Sequence, residues 1–378
     1  MKICFVALNI LPYLKKGNPA KTAGGAELQQ KLIGEALKLR GYEVCYISKN
    51  YGQDEIVTLN GFKVIRSFRK GGGIPGLRFF HPTISRLWKA LLRADADIYY
   101  VRCADFMPGL VAIFCKIYKK RFVFAGANDT DFIPEHLKLM RSIHKVLYLY
   151  GLKCADRRIV QSNAQRKLLW ENFRLHGNVV RNVGIKGVKL TSPSSRRYIL
   201  WVSTLRPLKR PLMFINLAMA FQNEQFVMIG GPAQGEQVLY DEVERAARGL
   251  QNLKFLGFQP FEETEKYFDK SMIFVNTSIY EGFPNTFLQA WRRGIPVISS
   301  VDPDGVVMAN KLGHVFDNEE NMKAALNISL SQSNVTRDGT IETITDYYQK
   351  FHVEGIIEQY HSIFERIVCG KKHSSFIS

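Results

Sequence analysis

The chain has 378 residues, 46% of them apolar, which exceeds the needs of one ordinary hydrophobic core. Its six cysteines form no C-x-x-C pair, which argues against a disulfide framework or a zinc site. The opening MKICFVALNI is too short an apolar run for a signal peptide, and no segment approaches the roughly 20 apolar residues that cross a bilayer. We therefore expect two domains in a cytoplasmic protein.

The net charge of +18 is concentrated in one half of the chain. Residues 1–185 contain 31 Lys and Arg against 13 Asp and Glu, whereas residues 186–378 contain 21 of each kind. Solubility alone does not require this asymmetry, so the N-terminal half is expected to face an anionic partner. On charge alone, nucleic acid and an anionic membrane surface both remain open.

Strand and helix patterns alternate along the N-terminal half. Residues 2–9 predict a strand, residues 26–40 an amphipathic helix that ends at Gly41, and residues 43–48 the next strand. Asn60-Gly61, between two apolar runs, predicts a β-hairpin. Helices are also predicted around residues 139–154 and 164–173, and further strands in ADIYYVR, RFVFAG, RRIVQS and NVVRN.

The same alternation restarts after a Ser- and Pro-containing stretch at residues 186–197, which predicts a linker. Strands are then predicted in YILWVS, QFVMIG, NLKFLG, SMIFVN and IPVISS. Two such segments predict an α/β protein of two doubly wound, parallel-sheet (Rossmann-like) domains facing a cleft. We expect a basic N-terminal domain over 1–185, a C-terminal domain over 198–352, and a helix over 353–368 that crosses back to the first domain.

Ligands of open α/β sheets collect at the carboxyl ends of strands, and the first such loop here is NPAKTAGGAELQQ. Gly24 and Gly25 allow a backbone to approach a ligand closely, although a flexible turn explains them equally well. The loop is not a G-x-G-x-x-G fingerprint, so a dinucleotide cofactor is disfavoured.

Two loops of the second half combine cations with a carboxylate. The strand YILWV is directly followed by three cations, Arg206, Lys209 and Arg210. Glu281 begins the loop EGFPN, which precedes a short predicted helix. Pro284 suits the first position of that helix. Taken alone, the loop that contains Arg206, Lys209 and Arg210, which we call the basic loop, is typical of a solvated turn. Together, the two loops predict a diphosphate site made of cations and a helix N-terminus, without a metal.

The motifs GGAE, LRPLKRP and EGFPNTFLQAWRRGIPV resemble those of family 4 retaining glycosyltransferases, which have the GT-B fold. The resemblance covers nearly the whole chain and implies a nucleotide-sugar donor held mainly by the C-terminal domain, with no other cofactor. Arg206 and Lys209 would hold the diphosphate, Glu281 would bond hydroxyls of the transferred sugar, and Phe258 would lie near the base. Further donor contacts are implied at Gly24, Gly25, Gly282, Phe283, Asn285 and Thr286.

Gln289 stands where the family has a second carboxylate that grips the ribose. Its amide can still accept a hydrogen bond from one hydroxyl, but the charge-assisted bond is lost. We expect altered nucleotide selection, and we expect Gln289→Glu to be tolerated.

Asp129-Thr130-Asp131 spells the D-x-D of metal-dependent transferases, but it lies in the half that is expected to bind the acceptor. We predict no metal site here. Asp129 is expected to contact an acceptor hydroxyl, and the structural alternative is a simple helix N-cap at Asp131. No catalytic His is transferred from the family.

Residues 71–93 interleave aromatic residues with cations, in particular Phe79, Phe80 and Trp88 with Arg78, Arg86, Lys89 and Arg93. This composition suits an element resting on anionic lipid, and an ordinary amphipathic helix covering the sheet is an equal alternative.

Together these features predict a metal-independent hexosyltransferase, cytoplasmic and peripheral on the inner face of the cell membrane. Its acceptor would be a glycan of lipid-linked polysaccharide or lipopolysaccharide synthesis. A nucleotide-sugar epimerase or hydrolase of the same fold, and a non-catalytic sugar-nucleotide-binding protein, remain alternatives. Nucleic-acid binding is disfavoured because no recognisable module is present.

Overall fold

The computed structural model describes residues 1–15, 24–69, 71–73, 77–192, 195–331, 334–353 and 355–368, with backbone only from 334 to 337. The chain divides into two compact units. The first comprises Met1–Val183 together with the segment from Ile356 onward, and the second comprises Gly184–Gly355. Residues 369–378, which include Cys369, lie outside the described residues.

The first unit is built on an eight-stranded sheet in the order β3-β4-β2-β1-β5-β6-β7-β8. Neighbouring strands pair in parallel, except in the hairpin of β3 and β4. The hairpin turns at Asn60-Gly61 as predicted, with φ of 51° and 73°, the left-handed values that a tight two-residue turn needs. The strands are β1 (Lys2–Val6), β2 (Glu43–Ser48), β3 (Ile56–Leu59), β4 (Phe62–Arg66), β5 (Ile98–Arg102), β6 (Arg121–Ala125), β7 (Arg157–Val160) and β8 (Asn178–Val179).

Helices cover both faces of this first sheet, so each face has its own apolar core. One core includes buried residues of α3, α4 and α6, and the other includes buried residues of α2 and the final helix α15. The helices of the unit are α1 (Leu11–Leu14), α2 (Gly25–Leu39), α3 (Ser85–Ala94), α4 (Met107–Ile117), α5 (Pro134–Leu137), α6 (Ser142–Cys154), α7 (Asn163–Phe173) and α15 (Ile356–Val368).

The second unit contains a six-stranded parallel sheet in the order β11-β10-β9-β12-β13-β14. The chain first builds outward from β9 and then continues on the other side from β12, so the strand order reverses between these two strands. The strands are β9 (Tyr198–Val202), β10 (Phe226–Ile229), β11 (Leu253–Phe255), β12 (Ser271–Asn276), β13 (Val297–Ser299) and β14 (Gly313–Val315).

Helices also cover both faces of this second sheet, over two further cores. They are α8 (Pro211–Ala220), α9 (Gln237–Arg248), α10 (Phe261–Phe268), α11 (Asn285–Trp291), α12 (Val306–Ala309), α13 (Glu319–Leu330) and α14 (Asn334–Tyr348). Among the described helices of both units, none has the length and apolar content to cross a bilayer.

Two helix starts differ from the positions considered in the sequence. Pro284 lies just before α11, with a non-helical ψ of 125°, and not at the first helical position. The alternative of an N-cap at Asp131 is not what the structure contains, because the Asn128 side chain caps this turn by accepting the Thr130 N–H. Asp131 is the reciprocal partner and accepts the backbone N–H of Asn128 at 3.1 Å.

Candidate functional site

The loops after β9 and β12 meet at the carboxyl edge of the second sheet, where its strand order reverses. Open α/β sheets bind ligands at this position, because the connections on either side lead to opposite faces of the sheet. The Ile279 N–H donates to the Leu208 carbonyl at 2.8 Å, which ties the two loops together.

Lys209 and Glu281 come from these two loops and form an ion pair between Nζ and Oε1. Their side chains are 13% and 15% exposed, so the pair is largely withdrawn from solvent but still reachable. The structure therefore places the predicted diphosphate cation directly beside the predicted sugar-binding carboxylate.

Two polar side chains at the end of β12 orient the Glu281 carboxylate. The Ser278 hydroxyl donates to Glu281 Oε1 at 2.7 Å, and Asn276 Nδ2 lies 3.5 Å from the same oxygen. Because these donors and Lys209 all approach Oε1, the second oxygen is left to accept from a ligand. Ser278 and Asn276 were missed in the sequence, although their position at the end of a predicted strand, within five residues of Glu281, is the signal that could have found them.

Thr277 fixes the backbone of the basic loop. Its hydroxyl donates to the Lys209 carbonyl at 2.6 Å and accepts from Trp201 Nε1 at 3.0 Å. Arg210 has a left-handed φ of 45° and donates through Nε to the Thr277 carbonyl at 2.7 Å. Arg210 is therefore a structural cation of this loop, whereas Lys209 projects to Glu281.

Arg206 lies in the same loop as Lys209, and Phe258 lies in the loop after β11. Arg206 is exposed, and it makes no ion pair with any residue that the structure describes. Phe258 follows β11, where a Cβ on Gly231 would lie only 2.9 Å from the Phe258 Cβ. Gly231 is thus needed for the loops after β10 and β11 to approach each other, and it was missed in the sequence.

The predicted contacts around α11 have different environments. Asn285 and Thr286 are half-buried in its first turn, where backbone N–H groups have no acceptor within the helix. Gly282 and Phe283 are buried, and the Phe283 ring packs against Trp291 and His352 with centroid distances of 6.1 and 4.9 Å. Only the backbone of Phe283 is therefore suited to a ligand contact.

Gln289 is buried on α11, and its Nε2 donates to Glu265 on α10 at 2.8 Å. Arg293 is completely buried and pairs with the other oxygen of the same carboxylate at 2.9 Å. The position expected to contact ribose thus lies in an ionic network that the sequence analysis did not predict.

The predicted residues of the first unit lie at the carboxyl edge of its own sheet. Gly24 is the N-cap of α2, and a Cβ there would lie 2.2 Å from Glu27 Oε2. The carboxylate of Glu27 accepts from Asn9 Nδ2, and Asn9 Oδ1 accepts from Lys49 Nζ at 2.9 Å. Gly24 therefore makes room for the Glu27 carboxylate, which is the polar group of the GGAE motif.

Asp131 and Asp129 do not act as a matched pair. Asp131 accepts the Ala127 N–H at 2.7 Å, and burial raises the pKa of its carboxyl to about 6. Asp129 is half-buried in the same turn. Burial also raises the pKa of Asp105, after β5, to about 6. Within the described ranges, no group of three or more His, Cys, Asp or Glu side chains is arranged to hold a metal ion.

The aromatic residues of segment 71–93 are only partly available to a membrane. Phe79 packs against Phe106 and His144, and Trp88 packs against Phe114. Both rings therefore stabilise the first unit. Phe80 is the exception, with 60% of its surface exposed.

Part of the chain matches a known sequence family. Residues 196–332 match the sequence family described as Glycosyl transferases group 1. This segment includes the basic loop, Phe258, Glu281 and Gln289.

Solved structures of similar fold cover both units. The chain resembles a sucrose-phosphate synthase from Thermosynechococcus elongatus, with a TM-score of 0.76 and 15% identity over 98% of this chain and 100% of that one. It resembles Anabaena Alr3699/HepE, solved with UDP and glucose, with a TM-score of 0.72 and 16% identity over 97% and 99% of the two chains.

A third similar structure is the lipopolysaccharide outer core galactosyltransferase WaaB, with a TM-score of 0.61 and 17% identity over 98% of this chain and 100% of that one. No curated protein shows significant similarity to the chain. The predicted α/β architecture of two Rossmann-like sheets is confirmed as the GT-B fold, and the resemblance to glycosyltransferases is confirmed.

Proposed function

We propose that this group 1 glycosyltransferase transfers a hexosyl group, with retention of configuration, from a nucleotide sugar to a glycan acceptor. The observation that carries the proposal is the contact of Lys209 with Glu281 at the switch point of the second sheet. A cation and a carboxylate in this arrangement match a donor that has a diphosphate on one side and sugar hydroxyls on the other.

In the proposed reaction, the bond from the anomeric carbon to the leaving diphosphate oxygen breaks, and negative charge grows on that diphosphate. Lys209 and Arg206 stabilise this charge, while the second oxygen of Glu281 accepts a hydrogen bond from a sugar hydroxyl. The acceptor hydroxyl forms the new bond on the same face, and its proton passes to a phosphate oxygen. The two cations perform the charge neutralisation for which other transferases use a metal.

The acceptor is assigned to the first unit, because polar side chains collect at the carboxyl edge of its sheet. Glu27 and Asn9 form a bonded pair there, and Asp105 and Asp129 follow neighbouring strands. Carboxylate and amide oxygens accept hydrogen bonds from sugar hydroxyls, so this edge suits a glycan. Asp129 remains the proposed acceptor contact.

We propose a membrane location on the basis of a set of exposed side chains of the first unit, which we call the basic apolar face. It consists of Leu77, Phe80, Leu139 and Ile143, which are 60%, 60%, 86% and 45% exposed, with Arg78, Lys138 and Arg141. Phe79 stacks on His144, so the segments around residues 77 and 143 are neighbours. Exposed apolar side chains among cations suit an anionic lipid surface.

This face supports an acceptor that is itself anchored in the membrane, as in lipid-linked polysaccharide or lipopolysaccharide synthesis, at the inner face of the cell membrane. The likeness to WaaB, which is described as acting on a lipopolysaccharide outer core, favours the same class of acceptor.

The decisive experiment measures turnover of a panel of labelled nucleoside diphosphate sugars with and without lipid-linked glycan acceptors. A glycosyltransferase consumes the donor and labels the acceptor with the retained anomer. A hydrolase or epimerase consumes the donor without acceptor, and a non-catalytic binding protein consumes none. Either of the last two results would contradict the proposal.

A further inference from the structure

Tyr51 presents an exposed aromatic ring at the carboxyl edge of the first sheet. It follows β2, and 41% of its surface is exposed. Tyr118, at the end of α4, is also 41% exposed, but its ring packs against Trp88 and Phe114 with centroid distances of 6.2 and 4.6 Å. Among the residues that the structure describes, neither an aromatic ring nor a cation packs on Tyr51. Ring stacking within the first unit therefore does not explain the position of Tyr51.

The hydroxyl of Tyr51 is held by a polar network at the ends of the neighbouring elements. It donates to Asn9 Oδ1 at 3.2 Å, and Lys49 Nζ donates to the same oxygen at 2.9 Å. Asn9 Nδ2 in turn donates to Glu27 Oε1 at 2.8 Å. Burial, together with the nearby charge of Glu27, raises the pKa of Tyr51, so the hydroxyl is the enclosed end of this side chain. The exposed part of the side chain is therefore the ring.

The backbone around Tyr51 is also fixed. Gln53 accepts the Tyr51 N–H at 2.6 Å and donates through Nε2 to the Lys49 carbonyl at 2.7 Å. The Asn50 side chain accepts the Gly52 N–H at 2.9 Å, and Gly52 has a left-handed φ of 96°, which favours glycine. A ligand that packs on Tyr51 therefore meets a ring that is already ordered, and binding costs little further conformational entropy.

An ordered tyrosine ring beside carboxylate and amide groups suits a sugar. The face of an aromatic ring carries partial negative charge, and the C–H bonds on one face of a pyranose are weakly positive, so the two faces attract each other. The hydroxyls of the same sugar need donors and acceptors at its rim. Asn9 Nδ2 has a second N–H beyond the one that it donates to Glu27, and the Glu27 carboxylate has a second oxygen.

We infer that Tyr51 is the stacking platform of an acceptor subsite, and that this subsite binds a sugar residue other than the one that reacts. The inference rests on the proposed function, which assigns the acceptor to this edge and the contact with an acceptor hydroxyl to Asp129. It adds a substrate class to that function, because the acceptor must then be an oligosaccharide.

The order of the strands separates the two contacts. Tyr51 follows β2 and Asp129 follows β6, with β1 and β5 between them in the sheet. Since the Tyr51 hydroxyl reaches Asn9 after β1, two to three strand spacings separate the contacts, or about 10 to 14 Å. One sugar ring does not bridge this gap. The reacting sugar and the sugar on Tyr51 are therefore different residues of one glycan.

The test measures kcat and KM for the acceptor that the turnover panel labels, supplied as glycans of one to four sugar residues on the same short alkyl chain. In wild type, KM should fall once the glycan is long enough to reach Tyr51. Tyr51→Ala should raise KM for the longer glycans about twofold to tenfold, the effect of one aromatic contact. It should leave unchanged kcat, the KM of the donor and the KM of the single-residue acceptor.

Three further variants separate the ring from its surroundings. Tyr51→Phe keeps the ring and loses the bond to Asn9, so its KM should stay closer to wild type than that of Tyr51→Ala. Tyr51→Leu keeps apolar volume without an aromatic face; it should behave like Tyr51→Ala and replaces that variant if it fails to fold. Tyr118→Ala is the matched control, because Tyr118 has the same exposure in the same unit, and it should change no KM.

Two results would overturn the subsite. One is a KM for every glycan length that is the same in Tyr51→Ala and wild type, and the other is an equal increase for the single-residue acceptor and the longer glycans. If wild type labels no acceptor at all, the proposed function fails together with the inference. That outcome is distinct from normal transfer by wild type with no effect of Tyr51.

Discussion

Lys209 Nζ contacts the carboxylate of Glu281 across 72 residues of sequence, and each side chain belongs to a different loop at the same sheet edge. Glu281 also accepts a hydrogen bond from the Ser278 hydroxyl, so both Lys209 and Ser278 stabilise its negative charge. The pair therefore brings the proposed phosphate-binding and sugar-binding functions into direct contact, and a change in either residue affects the environment of the other.

Lys209→Ala should lower the rate of transfer strongly. Loss of one preorganised charge contact to a leaving group costs about 3 kcal/mol or more in the barrier, which is a hundredfold or more in kcat. The measurement is kcat on the best donor, with folding checked by circular dichroism. Lys254→Ala, an exposed cation on β11, is the control. A Lys209→Ala enzyme within threefold of wild type would remove Lys209 from the mechanism.

Glu281→Gln separates the charge of Glu281 from its hydrogen bonding. The amide oxygen can still accept from Ser278 or a sugar hydroxyl, but it no longer pairs electrostatically with Lys209. We expect a smaller loss of kcat than in Glu281→Ala, which removes both contributions. Steady-state kinetics of the two variants provide the test, and equal activity of Glu281→Ala and wild type would show that this carboxylate does not bind the sugar.

Asp131→Asn should change how stability depends on pH. Burial raises the pKa of Asp131 from 3.8 to about 6, so the folded state holds the proton more tightly than the unfolded state does. This contribution is fully present below about pH 4 and is lost as pH rises through about 6, with a total of about 3 kcal/mol at most.

Asn at position 131 has no proton to lose, and its carbonyl can still accept from Ala127 and Asn128. Wild type should therefore lose stability relative to Asp131→Asn between pH 4 and pH 7 in urea denaturation. Glu135→Gln, an exposed carboxylate change on α5, should produce no such trend. A constant difference between wild type and Asp131→Asn would mean that the carboxyl is not perturbed.

Replacing Leu77 and Phe80 by Ser should weaken binding to vesicles that contain anionic lipid. These side chains contribute a hydrophobic term that salt does not screen, whereas the contribution of Arg78, Lys138 and Arg141 falls as ionic strength rises. Wild type should bind anionic vesicles better than neutral ones, and less well at high salt.

Val238→Ser is the matched control for vesicle binding, because Val238 is 81% exposed on α9 of the second unit. Co-sedimentation is the measurement. Unchanged binding of the Leu77 and Phe80 variant, together with no preference for anionic lipid, would exclude the basic apolar face as the docking surface.

Local signals predicted most of the fold. The structure contains the predicted apolar strands, the helix end near Gly41 and the Asn60-Gly61 turn. Each of these features depends only on residues close together in the sequence. The loops bearing Lys209 and Glu281 could be placed at strand ends for the same reason.

The remaining features depend on which side chains meet across elements, and periodicity does not encode this. Glu265 and Gln289 are 24 residues apart, and their contact requires a particular register between α10 and α11. Likewise, Phe79 and Trp88 have the composition of a membrane-binding segment, but the rings have partners within the first unit. Only the packing distinguishes these rings from the exposed Phe80.

The return of α15 to the first unit has a consequence for the order of folding during synthesis. Ile357, Tyr360 and Phe364 are buried in the same core as β1 and β2, more than 300 residues earlier in the chain. Once residues 1–355 have emerged from the ribosome, the second unit is complete but the first unit still lacks α15. Domains usually fold in order from the N-terminus, but here the N-terminal unit is completed last. Until α15 emerges, part of the apolar surface around β1 and β2 has no cover, so the nascent chain is most open to chaperones at its oldest end.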